Sequence, residues 1–213
     1  MRRDLSWLAP LTGLAFLVLV IVAIAISGEP PDATEDSARD VVDFYVDNRD
    51  SQLASAFMAS AAGALLVFFG GALRRVLRAA EGPDGTLSAI SFAGLIVLAL
   101  GLAIDGTITL TLAETADDIR PSAVQALSAL YTNDFIPFVM GTLIFLLATG
   151  LSVLRHGALP KWIGWVAIVL AVLAVTPLGF ASLIGAVLLI AVISVMLTMR
   201  ARADGPQTGA TQV

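Results

Sequence analysis

Residues 87–113 have the sequence LSAISFAGLIVLALGLAIDGTITLTLA, an apolar run whose interior contains a single charged residue, Asp105. As a helix the run extends over about 40 Å, which exceeds the roughly 30 Å hydrocarbon core of a bilayer. The interiors of the other long apolar runs carry no charge. The stretch therefore predicts a membrane-spanning helix with one acidic position inside it.

One face of this helix combines small and polar residues. At 100° per residue, five of them fall within an arc of about 80°: Ser91, Gly94, Gly101, Asp105 and Thr109. Small residues also recur at four-residue spacing at the start of the preceding apolar run. Because small residues let helix backbones approach closely in a membrane, we expect both faces to contact other helices. The predicted packing positions are Ser55, Ala59, Gly63, Gly94 and Gly101.

The composition is that of an integral membrane protein. Of the 213 residues, 58% are hydrophobic and 14% are charged, whereas soluble domains carry about 25% charged residues. With no cysteine and one histidine, His156, the sequence lacks disulfides, thiol chemistry and the usual ligands of a zinc site. It also has no phosphate-binding glycine loop, nucleophile elbow or paired catalytic carboxylates. We therefore expect that the protein is not an enzyme and binds no cofactor. A metal site is expected only if all of its ligands are oxygen atoms.

Hydropathy predicts six spans in an all-α, polytopic fold. The last apolar run is too long for one helix in a bilayer, so residues 176–179, TPLG, are expected to divide it. The first run is longer than the apolar region of a secretory signal, which favours a retained helix. We predict one transmembrane domain over residues 1–202 and a disordered cytoplasmic tail over residues 203–213. The apolar runs are residues 5–26, 53–73, 87–113, 135–154 and 160–200.

Two polar connectors are expected to form short amphipathic helices on the outer surface. In the first, residues 28–50, Pro30 and Pro31 end the preceding helix and Thr34 is the predicted N-cap. A solvated connector without a helix is the alternative for this segment. The second short helix is predicted over residues 122–130. The apolar face of the first helix comprises Val41, Val42, Phe44 and Tyr45.

Basic residues are divided unequally between the two predicted sides. Because positive charge marks the cytoplasmic side, both termini are expected in the cytoplasm and the chain in the cell membrane. The acids show the reverse distribution, with twelve outside, four inside and Asp105 in the membrane. The nine inner basic residues are Arg2, Arg3, Arg74, Arg75, Arg78, Arg155, Lys161, Arg200 and Arg202. The three outer ones are Arg39, Arg49 and Arg120.

The first two hairpins share one plan of span, acidic connector, span and arginine exit. Residues 63–70, GALLVFFG, align with residues 141–148, GTLIFLLA. Either a duplication or a chance match of apolar sequence explains this alignment.

A resemblance to known proteins is carried by three segments: residues 71–78, GALRRVLR, residues 159–165, LPKWIGW, and the segment from Phe44 to Arg49. In these segments the chain resembles actinobacterial multi-pass membrane proteins of unknown function. That resemblance covers most of the chain. It implies six helices and supplies no catalytic residue.

Asp105 is the candidate site. It lies about 22 Å along its helix from Ile90, which places it in the outer third of the membrane. Ionisable residues in spans commonly face a cavity or a partner. Three roles fit: a structural hydrogen bond that positions helices, handling of a proton or cation, and simple exposure at the interface. The polar residues expected near it are Arg49, Thr109, Arg120, Tyr131 and Asn133.

Three functions are compatible with the sequence. The leading one is a non-enzymatic accessory or scaffold subunit that associates through its helices, as a homo-oligomer or with another membrane protein. The alternative is a small transporter or channel coupled to a proton or cation at Asp105. A weaker one is an outer-face sensor whose acids bind divalent cations, although a solvated acidic surface explains them equally. These acids are Asp40, Asp43, Asp47, Asp117 and Asp118. The bilayer is an expected partner and nucleic acid is not.

Overall fold

The structure is a computed structural model that describes residues 8–83 and 85–203. This part of the chain is all helical, which confirms the predicted fold class. Residues 204–213 of the predicted tail, Arg2, Arg3 and the first residues of the first apolar run lie outside the described residues, whereas Ala203, the first residue of that predicted tail, ends the last helix. The helices are α1 (Leu8–Ser27), α2 (Ala38–Asp47), α3 (Arg49–Glu81), α4 (Thr86–Thr115), α5 (Pro121–Asn133), α6 (Ile136–His156), α7 (Lys161–Ala174) and α8 (Gly179–Ala203).

Five helical segments are long and apolar enough to cross a membrane: α1, α3, α4, the segment formed by α5 and α6, and α8. The sixth apolar helix, α7, has only 14 residues and a length of about 21 Å. It ends before Pro177, as the predicted break requires, because proline lacks the backbone N–H that would continue the helix. The fifth predicted span is therefore shorter than the bilayer core.

The six apolar helices pack as a closed ring in the order α1, α3, α4, α6, α7, α8 and back to α1. We call the side that carries α2 and α5 the cap side. We call the opposite side the arginine side, because α3, α6 and α8 all end there in basic residues. Large core residues such as Leu66, Phe69 and Phe145 belong to the half of the ring nearer the arginine side.

Helix α4 packs between α3 and α6 through glycines. A Cβ atom built on Gly94 would collide with the backbone nitrogen of Phe145, and one built on Gly141 would lie 2.6 Å from the nitrogen of Leu98. On the other face of α4, Gly106 packs against α3, whose Ala56 carbonyl would lie 3.0 Å from an added Cβ. These contacts join backbone to backbone, so no side chain can move aside to make room.

The cap helices α2 and α5 pack against each other over the end of α4. Their contact is apolar and includes Tyr45, Val124 and Leu112, all fully buried. Both short helices were predicted, and the alternative of an unstructured first connector is wrong. The predicted N-cap is also wrong: Ser37 caps α2 in a reciprocal capping box with Asp40, whereas Thr34 lies in the preceding turn.

Glu81 joins three helices on the arginine side. Its Oε1 accepts a hydrogen bond of 2.5 Å from the Ser152 hydroxyl of α6, and its Oε2 accepts one of 3.0 Å from the backbone N–H of Ser88. The second bond caps the first turn of α4, whose N-cap residue is a glycine without a side chain. An acid at the end of α3 thus fixes the start of α4.

Gly94→Ala is expected to destabilise the protein, because the added methyl group meets backbone atoms of α6. Gly71→Ala is the matched control: it lies in a helix with nothing within 4 Å of its Cβ position. Alanine is favoured over glycine in a helix by about 1 kcal/mol, so the control should keep or raise the melting temperature. The melting temperatures of both variants are measured by thermal unfolding in detergent. Equal melting temperatures would contradict backbone contact at Gly94.

Candidate functional site

A cavity of about 240 Å³ lies inside the ring, in the half nearer the cap side. Helices α1, α3, α4, α5, α6 and α8 all contribute to its wall. Most of the wall is apolar, and the described residues that line it include no basic side chain. The lining residues are Phe16, Val20, Ala23, Ile24, Ser27, Ser55, Ala59, Leu98, Leu102, Asp105, Tyr131, Phe138, Leu183 and Val187.

Asp105 is the one charged residue in this wall. It is half-buried, and no described residue forms a hydrogen bond or an ion pair with its carboxylate. Tyr131 of α5 also lines the cavity and lies within electrostatic range of the acid, as predicted. A carboxylate in a mainly apolar cavity, with no cation beside it, is available to a ligand.

Three of the residues expected near Asp105 do not reach it. Arg49 binds Asp117 at 2.5 Å and also donates a hydrogen bond of 2.8 Å to the Ala113 carbonyl. Asn133 is exposed and donates to the carbonyl one helical turn before it, and Arg120 is exposed at the start of α5. Arg49 and Asn133 are held by partners of their own, and Arg120 has an exposed side chain.

Thr109 lies on the predicted face but does not contact the carboxylate. It is buried, and its hydroxyl donates a hydrogen bond of 3.0 Å to the backbone carbonyl of Asp105, one turn earlier in the same helix. Such a bond satisfies the hydroxyl inside the membrane and leaves the acid untouched. Thr109 is therefore a helix-internal residue and not part of the cavity.

Asp134 is an acid near the site that the sequence analysis did not single out. It follows α5, interacts electrostatically with Asp105 and has one buried carboxylate oxygen, Oδ2, without a hydrogen-bond partner in the described part of the chain. An acid immediately before an apolar run was the available signal. The two carboxylates repel each other, which strengthens the negative potential on this side of the cavity.

The predicted packing residues lie at contacts within the chain. Ser55 donates a hydrogen bond of 3.1 Å to the Ala23 carbonyl of α1, and Ala59 lines the cavity beside it. A Cβ atom on Gly63 would lie 3.1 Å from the Ala99 carbonyl of α4. A Cβ atom on Gly101 would lie 3.2 Å from the ring of Pro137 in α6. The small-residue faces thus contact helices of the same chain.

The acids of the cap side mainly support local structure. Hydrogen bonds from the Thr34 hydroxyl and backbone N–H hold the pKa of Asp32 below its ordinary value. Asp40 completes the capping box of α2, and Asp117 binds Arg49. Within residues 8–83 and 85–203, no three histidine or acidic side chains are grouped so as to hold a metal ion. The cap side therefore offers no assembled divalent site in this part of the chain.

No protein family, curated protein or solved structure matches the chain. The resemblance to actinobacterial membrane proteins stays a prediction. The site itself consists of one carboxylate without a described partner, an apolar wall and a second acid nearby.

Asp105→Leu is expected to raise the melting temperature. Burying a carboxylate in a span costs up to about 3 kcal/mol when nothing pairs with it, and leucine would fill apolar space instead. Asp117→Leu is the control, because it removes an acid of the cap side that does have a partner, and it should not stabilise the protein. A lower melting temperature for Asp105→Leu would show that the acid positions helices.

Proposed function

We propose that the chain is a small, non-enzymatic membrane carrier that binds a monovalent cation or a proton at Asp105. One observation carries this proposal: the carboxylate lines a mainly apolar cavity whose described wall holds no basic residue. An unpaired carboxylate in a span has a high free energy, and a bound cation or proton lowers it. The site thus favours positive charge and disfavours anions.

The number of ligands favours a single positive charge. A divalent calcium ion takes six to eight oxygen ligands in proteins, roughly, and magnesium requires near-octahedral geometry. The cavity wall supplies one carboxylate, together with the hydroxyl groups of Ser27, Ser55 and Tyr131. The Ser27 and Ser55 hydroxyls already donate to backbone carbonyls of α1. Such a set suits a proton, an ammonium group or a weakly hydrated monovalent ion.

Transport of the bound cation or proton across the membrane requires a conformational change. The half of the ring nearer the arginine side is filled by large buried side chains, among them Leu73, Leu95 and Phe145. The cavity thus ends inside the bundle and does not continue as a pore. A carrier that exposes its site to one side at a time fits this arrangement better than an open channel does.

The scaffold alternative has less support. It was based on the small-residue faces of α3 and α4, and these faces contact helices of the same chain. Among the described residues, exposed apolar side chains are spread over all six apolar helices of the ring, as expected of helices that face lipid. No contact or patch in this part of the chain favours a particular protein partner.

We also propose that the arginine side faces the cytoplasm of a cell membrane. The described ends of the chain meet on this side, where the Ser194 hydroxyl of α8 donates a hydrogen bond to the Pro10 carbonyl of α1. Basic residues at the ends of α3, α6 and α8 support this orientation. The cap side, with Asp105 nearer to it, would then face outward.

Monovalent cations are expected to stabilise the wild-type protein through Asp105. Sodium, potassium and methylammonium chlorides would be compared at equal ionic strength by thermal unfolding in detergent. At least one should raise the melting temperature of wild type and Asp105→Glu, but not of Asp105→Asn. Asp117→Asn serves as the control for removal of an unrelated acid and should respond like wild type.

A flux assay completes this test. Proteoliposomes loaded with a pH-sensitive dye report proton movement, and isotope uptake reports the same three cations. The proposal fails if no cation distinguishes wild type from Asp105→Asn in stability, and flux is also identical in the two proteins.

The proposed orientation predicts which engineered cysteines react in intact cells. The natural sequence contains no cysteine, so Asp118→Cys and Arg75→Cys, both at exposed positions, give single labelling sites. A membrane-impermeant maleimide should label Asp118→Cys in intact cells, and Arg75→Cys only after permeabilisation. The reverse pattern would place the arginine side outside.

A further inference from the structure

A second cavity, of about 430 Å³, adjoins the first in the half of the ring nearer the cap side. It lies between the start of α6, the end of α7 and the start of α8. It exists because α7 stops at Ala174 after about 21 Å, whereas a full span needs about 30 Å. Beyond the end of α7 the second cavity is therefore lined by α6 and α8, which also contact each other directly.

Two side chains separate the cavities. Phe138 of α6 and Leu183 of α8 belong to the lining of both. They are side chains without polar groups, and both are only half-buried. The second cavity and the space that contains Asp105 therefore meet at these two side chains. We call this pair the partition.

The second cavity is bordered by exposed apolar side chains. Phe135, Val175 and Phe180 line it and are 54%, 64% and 76% exposed. Exposed aromatic and aliphatic groups at the height of a membrane span contact lipid and not water. The second cavity thus borders the hydrocarbon region of the bilayer.

One polar group in the second cavity lacks a partner. Thr142 is 1% exposed, and its hydroxyl oxygen has no hydrogen-bond partner among the described residues. A buried hydroxyl without a partner is costly, and a ligand that donates a hydrogen bond would remove that cost. Thr142 therefore marks a position that a polar group of a ligand can occupy.

The cap helices form a packed layer over the end of α4, beside the first cavity. Tyr45, Val124 and Leu112 form the apolar contact of α2 and α5 over the end of α4, and Tyr131 of α5 lines the first cavity itself. A route between α6 and α8 leaves this packed layer in place and requires movement of the partition.

We propose that a hydrophobic amine enters from the bilayer between α6 and α8, passes Phe138 and Leu183, and places its ammonium group on Asp105. The inference rests on the proposed function and adds the substrate class and the route. An apolar body matches both linings, and a positive charge matches the carboxylate. The described linings hold no basic residue, so a phosphate-bearing lipid would leave its anionic group unpaired.

The substrate class is tested with adamantan-1-amine, whose rigid apolar body carries one ammonium group, and with adamantan-1-ol as its uncharged match. Binding is measured on the full chain in lipid nanodiscs, by thermal stabilisation and with the radiolabelled amine. The amine should stabilise wild type and Asp105→Glu, the alcohol should not, and Asp105→Asn should respond to neither. Equal effects of amine and alcohol overturn the proposed substrate class.

The route is tested through the rate of amine binding. Leu183→Trp enlarges the partition and should slow association roughly tenfold or more, because the added ring must be displaced. Leu188→Trp is the matched control, since Leu188 lies on the exposed face of the same helix. Leu183→Ala, which opens the partition, should speed association and provides the test if the tryptophan variant does not fold. Unchanged rates in the Leu183 variants overturn the lateral route.

The outcomes separate this inference from the proposed function. If methylammonium stabilises wild type through Asp105 and adamantan-1-amine does not bind, the carrier proposal stands and the hydrophobic substrate is wrong. If the amine binds through Asp105 at a rate that Leu183 does not affect, only the lateral route is wrong. If no cation depends on Asp105, both the proposed function and this inference fail.

Discussion

The position of α4 depends on backbone contact with both of its neighbours. Gly94 and Gly141 bring α4 and α6 together without intervening side chains, and Gly106 does the same between α4 and α3. Gly106 directly follows Asp105 in the sequence. The contact of Gly106 with α3 therefore also fixes the direction in which Asp105 points. The carboxylate faces the inside of the ring because the helix that carries it cannot rotate without a collision between backbones.

The cavity follows from an uneven distribution of side-chain volume. Leu66, Phe69 and Phe145 belong to the buried apolar cluster of the ring and do not line the cavity. Beside the cavity, α1 and α3 meet through small residues such as Ala23 and Ser55, joined by a hydrogen bond of 3.1 Å. Small side chains bring these two helices together but do not reach the centre of the ring. Space therefore remains beside Asp105, and the short α7 extends it towards the lipid.

The helices and their order could be predicted from hydropathy, but the partners of the polar residues could not. Counting charges put Arg49 on the same side as Asp105, yet the arginine binds Asp117 and a carbonyl at the end of α4. That choice depends on the crossing of α3 and α4, which periodicity does not specify. The cap of α2 was predictable: Ser37 has an acid three residues later, as a capping box requires, and Thr34 does not.

A comparison of two half-buried acids shows why Asp105 is assigned to a ligand. Glu81 and Asp105 both belong to the packed bundle, but Glu81 accepts hydrogen bonds from Ser152 and Ser88 and so joins three helices. In this fold, an acid with a structural role thus has hydrogen-bond donors placed beside its carboxylate. Asp105 has an apolar wall around it, no described hydrogen-bond donor and a second acid, Asp134, within electrostatic range. A positive charge placed beside it would lower its free energy, which is the basis of the proposed cation site.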